Sequence, residues 1–152
     1  MNWPRVRAVA NWVNLSTPSG LILARATGCE VVDGGRGLHF ALGYRPRWPV
    51  AGAFTVGNVI LFRPALAEPE HFLGLLAHEE RHCTQYAWCL GLPFLVLYAG
   101  ACGYSWCRTG DPASRNPFER QAGLAAGGYV ERPGRSFADL LRGLRPVPRR
   151  RG

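Results

Sequence analysis

A chain of 152 residues, 47% of them apolar, is long enough and apolar enough to bury a core; this excludes intrinsic disorder and points to one folded domain over 1–145 with an Arg-rich tail over 146–152. Basic residues outnumber acidic ones 18 to 10, for a formal net charge of +8 that would suit an anionic partner. Every basic residue is Arg, spread along the chain apart from Arg149, Arg150 and Arg151, and no aromatic-basic stacking motif is present, so no specific nucleic acid is expected as a partner.

The five cysteines are odd in number and form no C-x-x-C, which excludes a disulfide framework and a zinc finger. They read as small apolar core residues in a reducing compartment. Arg5 and Arg7 are followed by no clean apolar segment and no small-residue cleavage site, so no signal peptide is expected and the expected location is cytoplasmic.

Residues 4–15 have the spacing of a short amphipathic helix with Val6, Val9, Trp12 and Val13 inward. Ser16-Thr17-Pro18-Ser19-Gly20 breaks it, and 21–26 is a second short apolar piece. The period then changes: 30–32 and 38–44 flank Asp33-Gly34-Gly35, a hairpin signal. A loop over 45–52 carries Pro46 and Pro49. Residues 54–56 and 59–62 flank Gly57-Asn58 and read as a second hairpin, or as one strand with a bulge at Gly57.

Glu68-Pro69-Glu70 opens a helix, with Pro in the first turn and acids at the positive end of the dipole, that runs to about Leu90 before Gly91 and Pro93. This helix carries His78-Glu79-Glu80-Arg81-His82, an H-E-x-x-H run. Residues i and i+4 share one helical face, so two imidazoles there can grip one Zn²⁺ while Glu79 reaches a water as general base. His71, two turns before His78, is too distant to share that ion and is expected to pack or cap.

Residues 83–107 carry no charge, a length that fits a membrane span. Thr84 and Gln85 at its start, and Gly91, Pro93, Gly100 and Gly103 within it, favour a second helix over 94–107 that makes a buried hairpin or dips into a membrane surface through 87–106. After a loop over 108–115, Asn116-Pro117 starts a third helix, and 136–144 is a last amphipathic one. The third ligand is sought among Asp111, Glu119, Glu131, Asp139 and the cysteines, Cys102 and Cys107 included. Glu119 is preferred because its helix can pack against the first, although Asn116 at the N-cap, Pro117 at N1 and Glu119 at N3 also spell a capping box that needs no metal.

The segment from Ala53 to Phe62, then Leu75-Leu76-Ala77-His78-Glu79, His82 and Gln85, resembles the bacterial zincin-like metallopeptidase domains that read A-x-T-x-G-x-x-I-x-F and then L-L-A-H-E-x-x-H-x-x-Q. Glu119-Arg120-Gln121-Ala122 matches the E-x-x-A of the glutamate-ligand type. The resemblance implies an α+β fold: short antiparallel β-hairpins packed on the H-E-x-x-H helix, an apolar helical hairpin, then the helix of the third ligand. It implies one Zn²⁺ held by His78, His82 and Glu119, with Glu79 as general base in peptide-bond hydrolysis. Gln85 is expected beside the ligands as an orienting partner, and Thr55 and Gly57 on a strand edge offered to an extended peptide or protein substrate. Gly123 stands where family members often carry an acid after E-x-x-A, so no orienting carboxylate is expected there. The alternatives are a zinc-binding interaction module without activity and a small membrane protein with a chance motif. The substrate's identity and the oligomeric state are not encoded in any motif.

Overall fold

The computed structural model describes residues 2–66 and 68–136. The helix expected over 136–144, Asp139 and the Arg tail fall outside that range, save Ser136, which lies in no helix. The fold is α+β: helices α1 (Trp3–Val13) and α2 (Ser16–Ala26), strands β1 (Glu30–Gly35), β2 (Leu38–Leu42), β3 (Ala53–Val56) and β4 (Val59–Phe62), then α3 (Leu73–Trp88), α4 (Pro93–Thr109) and α5 (Pro117–Ala122).

The strand order is β1-β2-β4-β3. Both hairpins form, and Gly57-Asn58 is a turn rather than a bulge, with Gly57 at φ +65° as the first central position of a type II′ turn requires. The first turn sits two residues later than the Asp-Gly-Gly signal suggests, at Arg36-Gly37, both left-handed, because β1 continues through an irregularity between Asp33 and Gly35. The sheet is mixed, not purely antiparallel: β4 enters between β2 and β3 and pairs with β2 in parallel. An inner strand like β2, but covered by helices on both faces, it is buried throughout, which is why Val59-Ile60-Leu61-Phe62 is a continuous apolar run. Each of those side chains is worth roughly 1.5–3 kcal/mol of burial.

Val59 and Leu61 pack with Ala24 of α2, whereas Ile60 and Phe62 pack with Cys83 of α3. The sheet is therefore sandwiched between α2 and α3, and β3, the edge strand, lies beside the H-E-x-x-H helix.

Four expectations are corrected. First, α1 is inverted: Val6, Val9, Trp12 and Val13 are exposed, and the buried residues are Arg7 and Asn11. Polar groups can be buried when partnered. Arg7 reaches Glu80 Oε1 at 2.7 Å, and Asn11 Nδ2 donates to Asn58 Oδ1 and to the Cys83 carbonyl, both at 2.8 Å. Second, Ser16–Gly20 begins α2 instead of breaking a helix; the break is Asn14-Leu15, and Pro18 falls in the first turn, where no N–H partner is lost. Third, α3 starts at Leu73; Pro69–His71 is a 3₁₀ turn, and Phe72 leaves helical geometry (φ −117°, ψ 50°). Its first turn holds no acid, and Glu68 Oε2 instead meets His71 Nδ1 at 2.9 Å. Fourth, of the two expectations for α4, a buried hairpin or one dipping into a membrane surface, the buried one fails. After a bend of 118° from α3 it contacts the protein through Phe94, Tyr98, Ser105 and Thr109, and most of its apolar surface is exposed. Among the described residues no single helix is long and apolar enough to cross a membrane.

Candidate metal centre

The centre is built from α3 and α5. One helical turn separates His78 and His82, both buried, and their rings stand 4.7 Å apart. Asn116 caps α5 by accepting from the Phe118 amide at 2.9 Å, with Pro117 in the first turn. Only half of the capping box forms, since Glu119 does not reach back; the Asn116 amide donates to Ala113 O instead. Glu119 turns inward, its Oε2 at 3.1 Å from His78 Nε2 and its Oε1 at 3.6 Å from His82 Nε2. Arg81 fastens the two helices by donating to the Ala122 carbonyl at 2.7 Å.

Hydrogen bonds on the far side of each ring fix the tautomers. His78 Nδ1 lies 3.0 Å from the Gly123 carbonyl, which can only accept, so the proton is on Nδ1 and the Nε2 lone pair points into the site. His82 Nδ1 lies 2.7 Å from Gln85 Oε1, while Gln85 Nε2 donates to the Phe118 carbonyl at 3.0 Å and to Gln121 Oε1. With its amide nitrogen committed, Gln85 offers only oxygen to His82, and that Nε2 is also a lone pair facing inward. The two Nε2 atoms are 3.0 Å apart, and Glu119 Oε2 is buried without any donor to bond. Electron pairs at such distances repel unless a cation lies between them.

The donors fit one. Three ligand atoms at about 2.0–2.1 Å from a tetrahedral ion stand about 3.3 Å apart; here the two Nε2 atoms are 3.0 Å apart, His78 Nε2 is 3.1 Å from Glu119 Oε2, and one donor atom from each of the three residues lies within 4.8 Å of the others. His78, His82 and Glu119 thus form a group that can hold a metal ion, the only such group among the described residues. The electrostatics agree. Burial alone would raise the Glu119 carboxyl, but a proton or positive charge at the His78 and His82 Nε2 atoms, together with the Tyr98 hydroxyl, holds it down at about 2, so it is an anion. Burial alone would lower His82, yet the Glu119 and Glu79 carboxylates raise it, so the site attracts positive charge at that ring.

Glu79 is buried one residue from His78 and lines the same cleft. Burial pushes its carboxyl above the usual range, against the lowering influence of His82 and of Thr55. A raised value makes the carboxylate a stronger base than a free one. The cleft, about 210 Å³, is bounded by Thr55 and Phe54 of β3 on one side and by Phe94, Leu95 and Tyr98 of α4 and Tyr129 on the other.

The remaining expected residues are placed as follows. Thr55 is on the edge strand, but its hydroxyl faces α3 and bonds Glu79 Oε2 at 2.7 Å. Gly57 is buried in the β3–β4 turn, where a Cβ would lie 2.3 Å from the Thr17 nitrogen; close packing on α2, not contact with substrate, demands glycine there. The rejected ligand candidates are elsewhere. His71 is exposed beside Glu68, Asp111 accepts from Ser114, Glu131 pairs with Arg120, and the Cys102 sulfur meets Asn116.

Sequence reasoning missed Tyr98, which donates to Glu119 Oε1, and the segment 123–129, which covers His78 with the Gly123 carbonyl, Gly127 and Tyr129. The His78 ring is oriented by the carbonyl of Gly123. A backbone acceptor leaves no residue-type signature. Tyr98 carried one, the inward i, i+4 spacing from Phe94. No family model, no curated protein and no solved structure matches the chain.

Proposed function

We propose that the protein is a zinc-dependent metallopeptidase. The observation that carries the reading is the convergence of His78 Nε2, His82 Nε2 and the Glu119 carboxylate, the rings turned inward by Gly123 and Gln85 and the carboxylate bonded on Oε1 by Tyr98, beside the separate buried carboxylate of Glu79. Two imidazoles and one carboxylate facing an open cleft are the donor set that catalytic zinc takes. When bound, zinc supplies Lewis-acid polarisation of a water and of the scissile carbonyl.

The chain's own groups do the rest. Glu79, steadied by the Thr55 hydroxyl, accepts a proton from the attacking water as the new C–O bond forms, and passes it to the departing amine nitrogen as the C–N bond breaks. His78 and His82 keep their protons on Nδ1, held by Gly123 and Gln85, and so neither donates one to the substrate. Strand β3 is the sheet's edge beside this cleft, and an extended peptide adding to it would present its carbonyls toward Glu79.

The test pairs metal content with cleavage of a quenched peptide library. Wild-type protein is expected to bind one zinc and cleave, Glu79→Gln to keep zinc and lose cleavage, and Glu119→Ala to lose zinc. Stoichiometric zinc in a protein that cleaves no peptide would remove the peptidase reading and leave a metal-binding module.

A further inference from the structure

We propose that α4, the α3–α4 corner and the outer face of α1 dock on an anionic lipid bilayer, with α4 lying along the interface. This inference does not depend on the metal centre. A helix in water shows polar residues on its open side. The open side of α4 shows none: Leu95, Val96, Leu97, Tyr104 and Trp106 are exposed, Val96 by 76%, and no charged residue occurs from 83 to 107. The surface continues beyond the helix. Trp3 of α1 lies 6.3 Å from Trp88 at the end of α3, and Gly91 in the corner abuts Asn14 just past α1. Leu15 and Leu90, which flank these contacts, are exposed leucines in left-handed backbone geometry, a conformation costly for a bulky residue and here repaid by no core contact.

Two observations select lipid over a protein partner. All five tryptophans of the chain are exposed, by 36–78%, although tryptophan is among the most buried residues on average in water-soluble cores. Outside a core, tryptophan is enriched at protein interfaces and at the bilayer interface, where the ring is half in hydrocarbon and the N–H is wet, and a patch that is also free of acidic residues and flanked by Arg favours the bilayer. Charge complements this: Arg108 and Arg135 meet at the end of α4, in a chain of formal charge +8, an arrangement that draws a surface helix to anionic headgroups. Spanning is disfavoured by length, because 17 helical residues reach about 26 Å against a hydrocarbon core of about 30 Å. The face borders the cleft, since Leu95 belongs to both.

The experiment is co-sedimentation of the purified full chain with phosphatidylcholine vesicles and with vesicles containing phosphatidylglycerol, alongside Val96→Asp and a Trp88→Ala/Trp106→Ala double variant. Circular dichroism and zinc content serve as folding controls; all three positions are exposed, and none lines the metal centre. Wild-type protein is expected to bind the anionic vesicles at least tenfold more strongly than the neutral ones. Its tryptophan emission should shift to the blue on binding, and Val96→Asp should weaken binding by about tenfold or more. Absence of wild-type binding to either vesicle overturns the proposal, as does binding that Val96→Asp leaves unchanged. A dimer that sedimentation detects and Val96→Asp dissociates, with no vesicle binding, assigns the face to a second copy of the chain instead.

Discussion

The hydroxyl of Thr55 donates to Oε2 of Glu79 across 2.7 Å, joining the edge strand to the helix that carries both imidazoles. Glu79 is otherwise surrounded by groups that do not donate to it, and burial favours its neutral form. The bond to Thr55 opposes that tendency, so β3 orients the carboxylate and also tunes it. Thr55→Val keeps the shape and deletes the donor. It is expected to destabilise the fold by about 1.5–3 kcal/mol, as for a hydrogen bond to a charged group, read by urea unfolding. With the lowering influence gone, Glu79 rises further, and the acid limb of the pH–rate profile moves to higher pH in the variant.

Gln85 is tied to His82 and, through Phe118 and Gln121, to the helix of Glu119. It therefore positions a ligand from each of two helices. Gln85→Leu leaves the three donors in place but frees the His82 ring and tautomer. A loss of about 10–100-fold in zinc affinity is expected, measured by chelator competition. Gln121→Ala, which removes only the outer partner, is expected to lose less than Gln85→Leu.

Zinc bound at this centre would compete with the proton for the same lone pairs. Burial lowers His82, but the Glu119 and Glu79 carboxylates more than restore it, leaving the ring above its ordinary value of about 6.5. Zinc affinity is accordingly expected to fall as pH drops, and to begin falling above pH 6.5 rather than below it. Chelator competition from pH 8 to pH 5 reads this directly. Affinity that stays flat to pH 6 would mean that the ring is not protonated in the metal-free protein.

The loop between α4 and α5, which leads into the helix of Glu119, is folded about Asp111. Its carboxylate accepts from the Ala113 amide at 3.0 Å, the Ser114 amide at 2.7 Å and the Ser114 hydroxyl at 2.8 Å. Burial alone would raise the group, but the Ser114 and Ala113 bonds and the Arg132 charge together hold it below the usual carboxylate range. A depressed folded value means that stability is fully present above the unfolded value of about 3.9 and is lost as pH falls through the folded one. Asp111→Ala is therefore expected to be less stable than wild type at pH 6, with the gap closing below about pH 4 in unfolding curves taken across pH.

What could be read in advance follows from where the physics is local. The strand β4, the presence of two hairpins and the i, i+4 imidazole pair depend on neighbours in sequence, and the residues announce them, although the first turn falls at Arg36-Gly37 and not in the Asp-Gly-Gly signal. Glu119 was legible only as one of two readings, since Asn116-Pro117 caps a helix whether or not the carboxylate turns inward. The inverted face of α1 was not legible. Arg7 and Asn11 are buried because Glu80, Asn58 and the Cys83 carbonyl meet them from distant parts of the chain, and hydrophobic spacing alone assigns such polar residues to solvent. The parallel pairing of β2 with β4 was hidden for a similar reason: Val59–Phe62 is apolar throughout, so alternation gives neither its partner nor its direction.

Gly127 bears on the site most directly of all the glycines. A Cβ at this position would sit 2.5 Å from His78 Cε1 and 2.8 Å from its Nε2, closer than any side-chain carbon approaches a ring. The ring has little room to retreat, because Nδ1 is held by Gly123 and the other face meets His82. Gly127→Ala is therefore expected to tilt His78 away from the shared centre and to weaken zinc binding by about tenfold or more, a cost like that of losing a ligand's orienting partner. Gly74→Ala is the matched control. It lies on the same helix as His78 with open space around its would-be Cβ, and is expected to gain about 0.5–1 kcal/mol of stability while leaving zinc affinity unchanged. If both variants bind zinc like wild type, the segment 123–129 does not press on His78 in solution, and the orienting function given to the Gly123 carbonyl falls with it.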